Sequence, residues 1–118
     1  MSDGKIGQIK VQLRRFAADR DWDQFHSPKN LSMALIAEVA ELVEHFQWMT
    51  EEQSKNLSPE KLAEIELELA DIQIYLVRLA DKMQLDLMAA VDKKLALNEK
   101  KYPADKVRGS AKKYTEYK

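Results

Sequence analysis

Residues 31–48, LSMALIAEVAELVEHFQW, decide the fold of this chain, and residues 62–83, LAEIELELADIQIYLVRLADKM, answer them. In the first stretch Leu31, Ala34, Leu35, Val39, Leu42, Val43 and Phe46 recur at helical spacing. In the second, Leu62, Ile65, Leu69, Ile72, Leu76 and Leu79 do the same. Each is apolar over more than one stripe, whereas a helix on the surface of a small domain needs only one. The surplus predicts an all-α, four-helix bundle that completes its core by oligomerisation, as a homodimer or a homotetramer.

Inside these apolar runs sit four acids. Glu38 and Glu41 are spaced i, i+3 on one helix, and Glu68 and Asp71 repeat that spacing on the next, so each pair shares a helix face. Glu38 has Ala34, Leu35 and Leu42 as helix neighbours, and Asp71 has Leu67, Ile74 and Tyr75. A carboxylate on a core-facing stripe is costly to desolvate without positive compensation. Aspartate is also a poor residue for a helix interior, because its side chain competes for backbone hydrogen bonds. Four acids converging on one point suggest a divalent cation, and oxygen-only ligands select Mg²⁺, Mn²⁺ or Ca²⁺ over softer metals. The plainer alternative is a set of solvated helix faces, which is how Glu51, Glu52, Glu60, Glu64 and Glu99 read.

Outward from these two helices, the apolar period predicts a first helix over 6–20, with Ile6, Ile9, Leu13, Phe16 and Ala17 on its stripe. Residues 21–28 read as a loop, and Ser27 or Asn30 as the start of the second helix, which runs to Trp48. Residues 50–57 read as a polar surface connection. Ser58, Pro59 and Glu60 form a start signal for a third helix reaching Met83. Asp86 opens a fourth helix to Lys101, stopped by Tyr102 and Pro103. The division expected is a helical domain over 1–103 and a basic, extended tail over 104–118.

At 118 residues, with 45% hydrophobic and 33% charged side chains, the composition is that of one soluble globular domain. A formal net charge of -1 gives no general attraction for nucleic acid or anionic membranes, so neither is expected as a partner. Without cysteine there is no disulfide, thiolate site or cysteine nucleophile. The polar start MSDGKIGQIK lacks the apolar core of a signal peptide, and a cytoplasmic location is expected.

The pattern E-x-x-E followed by E-x-x-D resembles the MazG-like nucleoside triphosphate pyrophosphohydrolases. The run RDWDQFHSPKNLSMALIAEVAELVEHFQW is similar to their dCTP pyrophosphatase branch, as are LELADIQIYLVRLADKM, KLALNEKKYP and the ending KVRGSAKKYTEYK. The resemblance extends from about Val11 to Tyr117. It implies a MazG-like bundle and a Mg²⁺-dependent enzyme, with Mn²⁺ as a substitute. Such an enzyme cleaves a (deoxy)nucleoside triphosphate, dCTP or a related deoxynucleotide, between the α and β phosphates. This is a hydrolase acting on acid anhydrides that cleans the nucleotide pool, with active sites shared between subunits.

On this resemblance Glu38, Glu41, Glu68 and Asp71 match the metal-binding positions, and Glu38 and Glu41 are the catalytic candidates, Glu41 foremost for aligning the attacking water. Trp22 and Trp48 match aromatic residues around the base; from the sequence alone they read equally as packing or as stacking platforms. Phe25 and His26 are candidates for the same pocket. Leu13 stands where animal members of the branch carry a histidine near the base. Tyr75, one turn past Asp71, is either core or a partner for phosphate or ribose. Lys94, Asn98 and Lys101 share one helix face, a solvated stripe by pattern and a phosphate and sugar contact by resemblance. Glu44 and His45 read as ordinary surface or half-buried groups. Lys106, Arg108, Lys112 and Lys113 belong to a tail that either is merely soluble or closes as a flap over the polyphosphate.

Two rival classes remain. A di-iron carboxylate bundle normally uses Glu-x-x-His pairs, and the chain has none: Asp23 precedes His26 by three residues, and Leu42 precedes His45. A non-catalytic helical oligomerisation or regulatory module would use the acids as interface ion pairs.

Overall fold

The structure is a computed structural model and describes residues 4–110. The described residues contain no strand. Their helices are α1 (Lys5–Asp19), α2 (Pro28–Glu44), α3 (Glu51–Ser54), α4 (Pro59–Lys82), α5 (Leu87–Lys101) and α6 (Ala104–Val107), with a short 3-10 turn at Asp23–Phe25. The chain falls into two compact units, Met1–Leu85 and Asp86–Lys118. No helix among the described residues is long and apolar enough to cross a membrane.

Helix starts follow the cap residues. The Ser27 and Ser58 hydroxyls each accept from a backbone N–H three residues on, at 3.1 Å, and each is followed by proline at the first helical position. Asp86 Oδ1 accepts from the Ala89 N–H at 3.0 Å and opens α5. The connection over 50–57 is more ordered than its polarity suggested: Thr50 and Gln53 form a reciprocal capping box that nucleates α3. The tail over 104–118 was expected to be extended; its first residues instead form α6, directly after Pro103. The rest of that expectation, with Lys112 and Lys113, lies outside the described residues.

Helix α2 ends four residues short of Trp48. His45 donates its N–H to Leu42 and Phe46 to Val43, bonds to the third residue back that tighten the chain out of the α-helix. Trp48 therefore leaves the α2 face and is 89% exposed.

Helices α1 and α4 both end in a Schellman motif. After α1 the Trp22 N–H donates to Ala17 and the Asp21 N–H to Ala18, with Asp21 at φ 55. After α4, Leu85 donates to Ala80 and Gln84 to Asp81, with Gln84 at φ 59. The first motif fixes the direction in which Trp22 leaves the helix.

In the first unit α2 lies against α4, and α1 packs against α4 from another side. The sense of α2 against α4 is antiparallel: His45 meets Lys61 and Glu64, while further along Glu41 meets Glu68. Ala17, Leu31, Ile65, Val77 and Ala80 are buried. Arg14 joins α1 to α4 through two bonds to Asp81, at 2.6 and 2.7 Å. Much of the apolar surplus faces outward, with Ile36 68% and Leu67 70% exposed. Leu31, 2% exposed, tests the packing: Leu31→Ala is expected to remove about 2–5 kcal/mol of unfolding free energy, measured by denaturant titration. A loss under about 0.5 kcal/mol, the range of surface substitutions, would place this side chain outside the core.

Candidate active site

Helical spacing carries Glu38 and Glu41 onto one side of α2, and the antiparallel packing sets Glu68 of α4 opposite them. One carboxylate oxygen from each of the three lies within 4.8 Å of the others. Glu38 Oε2 is buried and has no hydrogen-bond partner among the described residues. Its helix neighbours Ala34, Leu35 and Leu42 are themselves half-buried and form an apolar flank to the carboxylate.

The electrostatics follow from this crowding. Burial first, then contact with Glu41, raises the pKa of Glu38, and Asp71 adds to the effect through its charge. Contact with Glu68 and then Glu38 lowers that of Glu41. Contact with Glu41, then burial, pushes Glu68 up to about 7. The crowding thus favours the protonated form of Glu68 and the charged form of Glu41. A partnerless buried oxygen beside two further carboxylates is a donor set that fits a hard divalent cation. Asp71 lies outside the group of three, on the exposed side of α4, near enough to act on Glu38 by its charge.

Asp71 also lines a cavity of about 410 Å³ beside the carboxylates, within the range of small-molecule sites. Leu13 and Phe16 of α1, Trp22 and His26 of the loop, Leu31 of α2, and Ile74, Tyr75 and Arg78 of α4 complete it. Phe16 and Trp22 meet edge to face with centroids 5.8 Å apart, and the Arg20 guanidinium lies 3.6 Å over the Phe16 ring. Of the residues singled out from the sequence, Trp22, His26, Asp71 and Tyr75 come together here. Phe25, 59% exposed, and Trp48 do not line it. Lys94, Asn98 and Lys101 lie on α5, in the second unit.

Sequence reasoning passed over Arg78. This buried cation donates to Asp23 at 2.6 Å and to His26 at 3.2 Å, and Lys82 donates to the same Asp23 oxygen at 3.0 Å. Lys82, with Arg78 behind it, holds the Asp23 carboxyl below the usual range. A cation buried in the run LVRLA was the available signal, since an arginine there needs an acid to compensate it. His45 joins Lys61 at 3.3 Å and the Glu64 carboxylate at 3.8 Å, near the mouth of the cluster.

A family profile described as MazG-like family matches residues 34–117. The chain is 48% identical over 113 residues to dCTP pyrophosphatase 1 of Homo sapiens, covering 94% of this chain and 66% of that protein. It is 50% identical over 117 residues to dCTP pyrophosphatase 1 of Bos taurus, covering 98% and 69%. It thus spans about two thirds of the length of these relatives. The crystal structure of a pyrophosphatase from Archaeoglobus fulgidus superposes with a TM-score of 0.79 at 37% identity, over 84% of this chain and 93% of that one.

A cation entering the cluster must displace the proton on Glu68. Mg²⁺ affinity is therefore expected to rise with pH up to about 7 and level off above it. Titration calorimetry at about pH 6, in buffers of differing ionisation enthalpy, should show proton release on binding. Binding without proton release would contradict the geometry of the cluster.

Proposed function

The chain belongs to the MazG-like family, and on that premise we propose that it is a divalent-cation-dependent nucleoside triphosphate pyrophosphohydrolase. It takes dCTP or a related deoxynucleoside triphosphate and releases the nucleoside monophosphate and pyrophosphate, cleaning the nucleotide pool. The observation that carries this reading is the partnerless Glu38 oxygen among three carboxylates, set beside an aromatic cavity of nucleotide size. Both mammalian relatives are named dCTP pyrophosphatases, which supports this reading.

Glu38, Glu41 and Glu68 would hold the cation, Mg²⁺ or Mn²⁺ in its place, with Asp71 completing the set from the cavity side. Held there, the cation would supply charge neutralisation for the triphosphate and the departing pyrophosphate. Glu41 keeps its carboxylate ionised beside Glu68, and it orients the attacking water and accepts its proton. The new bond joins that water's oxygen to the α phosphorus, and the bond to the bridging oxygen of pyrophosphate breaks. Trp22 offers an aromatic face to the base, and the Tyr75 hydroxyl a hydrogen bond to sugar or phosphate. Lys94, Asn98 and Lys101 share one face of α5, and by the family resemblance they are the candidates for phosphate and sugar contacts.

The outward apolar faces of α2 and α4, with Met33, Ile36, Leu62 and Leu67 all more than half exposed, support a homodimer or homotetramer. In such an assembly the open Trp48 would reach a base held by a neighbouring subunit.

A panel of (d)NTPs assayed with and without Mg²⁺, resolving monophosphate plus pyrophosphate from diphosphate plus phosphate, tests the reading. Hydrolysis to monophosphate and pyrophosphate only with the metal is expected, and Glu38→Gln is expected to cost at least about 100-fold in kcat while the helices persist. Metal-independent turnover, or release of a nucleoside diphosphate, would sink it.

A further inference from the structure

The floor of the cavity is built differently from its aromatic walls. Arg78 is 5% exposed. Its Nε donates to His26 Nδ1 at 3.2 Å, while its Nη2 donates to Asp23 Oδ1 at 2.6 Å. A guanidinium has only donors and keeps its proton, so His26 Nδ1 has to be an acceptor. The neutral ring then carries its proton on Nε2. Protonation of Nδ1 would set two cationic N–H groups against each other. Burial, followed by the charges of Arg78 and Lys82, lowers the pKa of His26, and Asp23 opposes them only in part. Among the described residues the ring has no second hydrogen bond, and it lines the cavity.

We infer that Arg78 locks His26 as a hydrogen-bond donor through Nε2, and that His26 discriminates among nucleobases by requiring an acceptor, a ring carbonyl oxygen or an unprotonated ring nitrogen, at the position of the base edge that faces it. This deepens the nucleotide reading above and rests on it. Stacking cannot make that choice, because every base has a π-face to offer Trp22. Leu13, Leu31 and Ile74 bring no polar atom. The Tyr75 hydroxyl both donates and accepts, so it suits either kind of partner. A donor whose proton cannot move is different. A base presenting N–H to it leaves two donors facing each other in a confined site, and sites built to hydrogen-bond reject such ligands strongly. Arg78 is a positioning residue here: it lines the cavity as well, and it acts on the choice of base through the imidazole. Asp23, tied also to Lys82, holds the guanidinium in place.

The tautomer is measured first, on the free protein, from the imidazole nitrogen shifts of ¹⁵N-histidine-labelled chain at about pH 7. The Nε2–H form is expected for His26, and an Nδ1–H ring or an imidazolium would overturn the inference. In Arg78→Met the ring should sample both tautomers; an unchanged signature in the folded variant would remove Arg78 from the account. If that variant fails to fold, the wild-type tautomer still decides. Turnover supplies the second arm. His26→Phe should lower kcat/KM about tenfold on the preferred triphosphate, the effect of one lost hydrogen bond, and bring its ratio to a disfavoured base towards one. His26→Gln, with an amide donor, should restore part of that ratio. An equal loss on every substrate, including a deoxyribose triphosphate without a base, would place His26 away from the base and overturn the inference, as would no loss at all. A wild type that hydrolyses no triphosphate would defeat the enzymatic reading instead, and the tautomer needs no turnover to be judged.

Discussion

Like charges that cannot move apart are the constraint on which this molecule depends. Glu38, Glu41 and Glu68 face one another because helical periodicity puts two of them on one side of α2 and helix packing sets the third opposite. Half-buried apolar side chains flank Glu38, and its Oε2 has no hydrogen-bond partner among the described residues to relieve it. Packing of the bundle thus opposes electrostatic relaxation of the cluster. The pKa of Glu68, pushed up to about 7 by contact with Glu41 and then by burial, is the electrostatic mark of that opposition. A cation would offer another response, and on the proposed reading the crowding is useful because the carboxylates are gathered before a metal arrives.

Helix α4 joins this negative centre to a positive one. Asp71 and Arg78 are seven residues apart on α4, two turns or about 10 Å along its axis, and both line the same cavity. The acidic end suits a cation and the phosphates it neutralises, while the other end, with Trp22, His26 and Arg78, suits a flat heterocycle. The Schellman turn after α1 and the Asp23 clamp bring the loop to this second end without a long helix of its own.

The sequence made the long helices legible because their signals are local. Ser58 with Pro59, Asp86 and the apolar period each work within a turn or two, and α4 and α5 start where these residues place them. The carboxylate pairs were legible for the same reason, since i, i+3 spacing needs no tertiary information. What failed to show depends on contacts distant in the chain or on competing turns. The period through Phe46 continues past the end of α2, where bonds to the third residue back take over, and so Trp48 points elsewhere. The capping box of Thr50 and Gln53 is readable in principle, but the polarity of its surroundings masked α3. Arg78 was passed over because its partners Asp23 and His26 lie 55 and 52 residues away. Leu13 was noted as a departure from animal relatives, and it does lie in the cavity wall.

Manganese, a stand-in for Mg²⁺ with an anomalous signal, gives the most direct test. Crystals grown with Mn²⁺ and a non-hydrolysable deoxynucleoside triphosphate should show an anomalous peak bounded by the carboxylates of Glu38, Glu41 and Glu68, with the polyphosphate against it. An ordered nucleotide with no peak among these three side chains would contradict the account at its root.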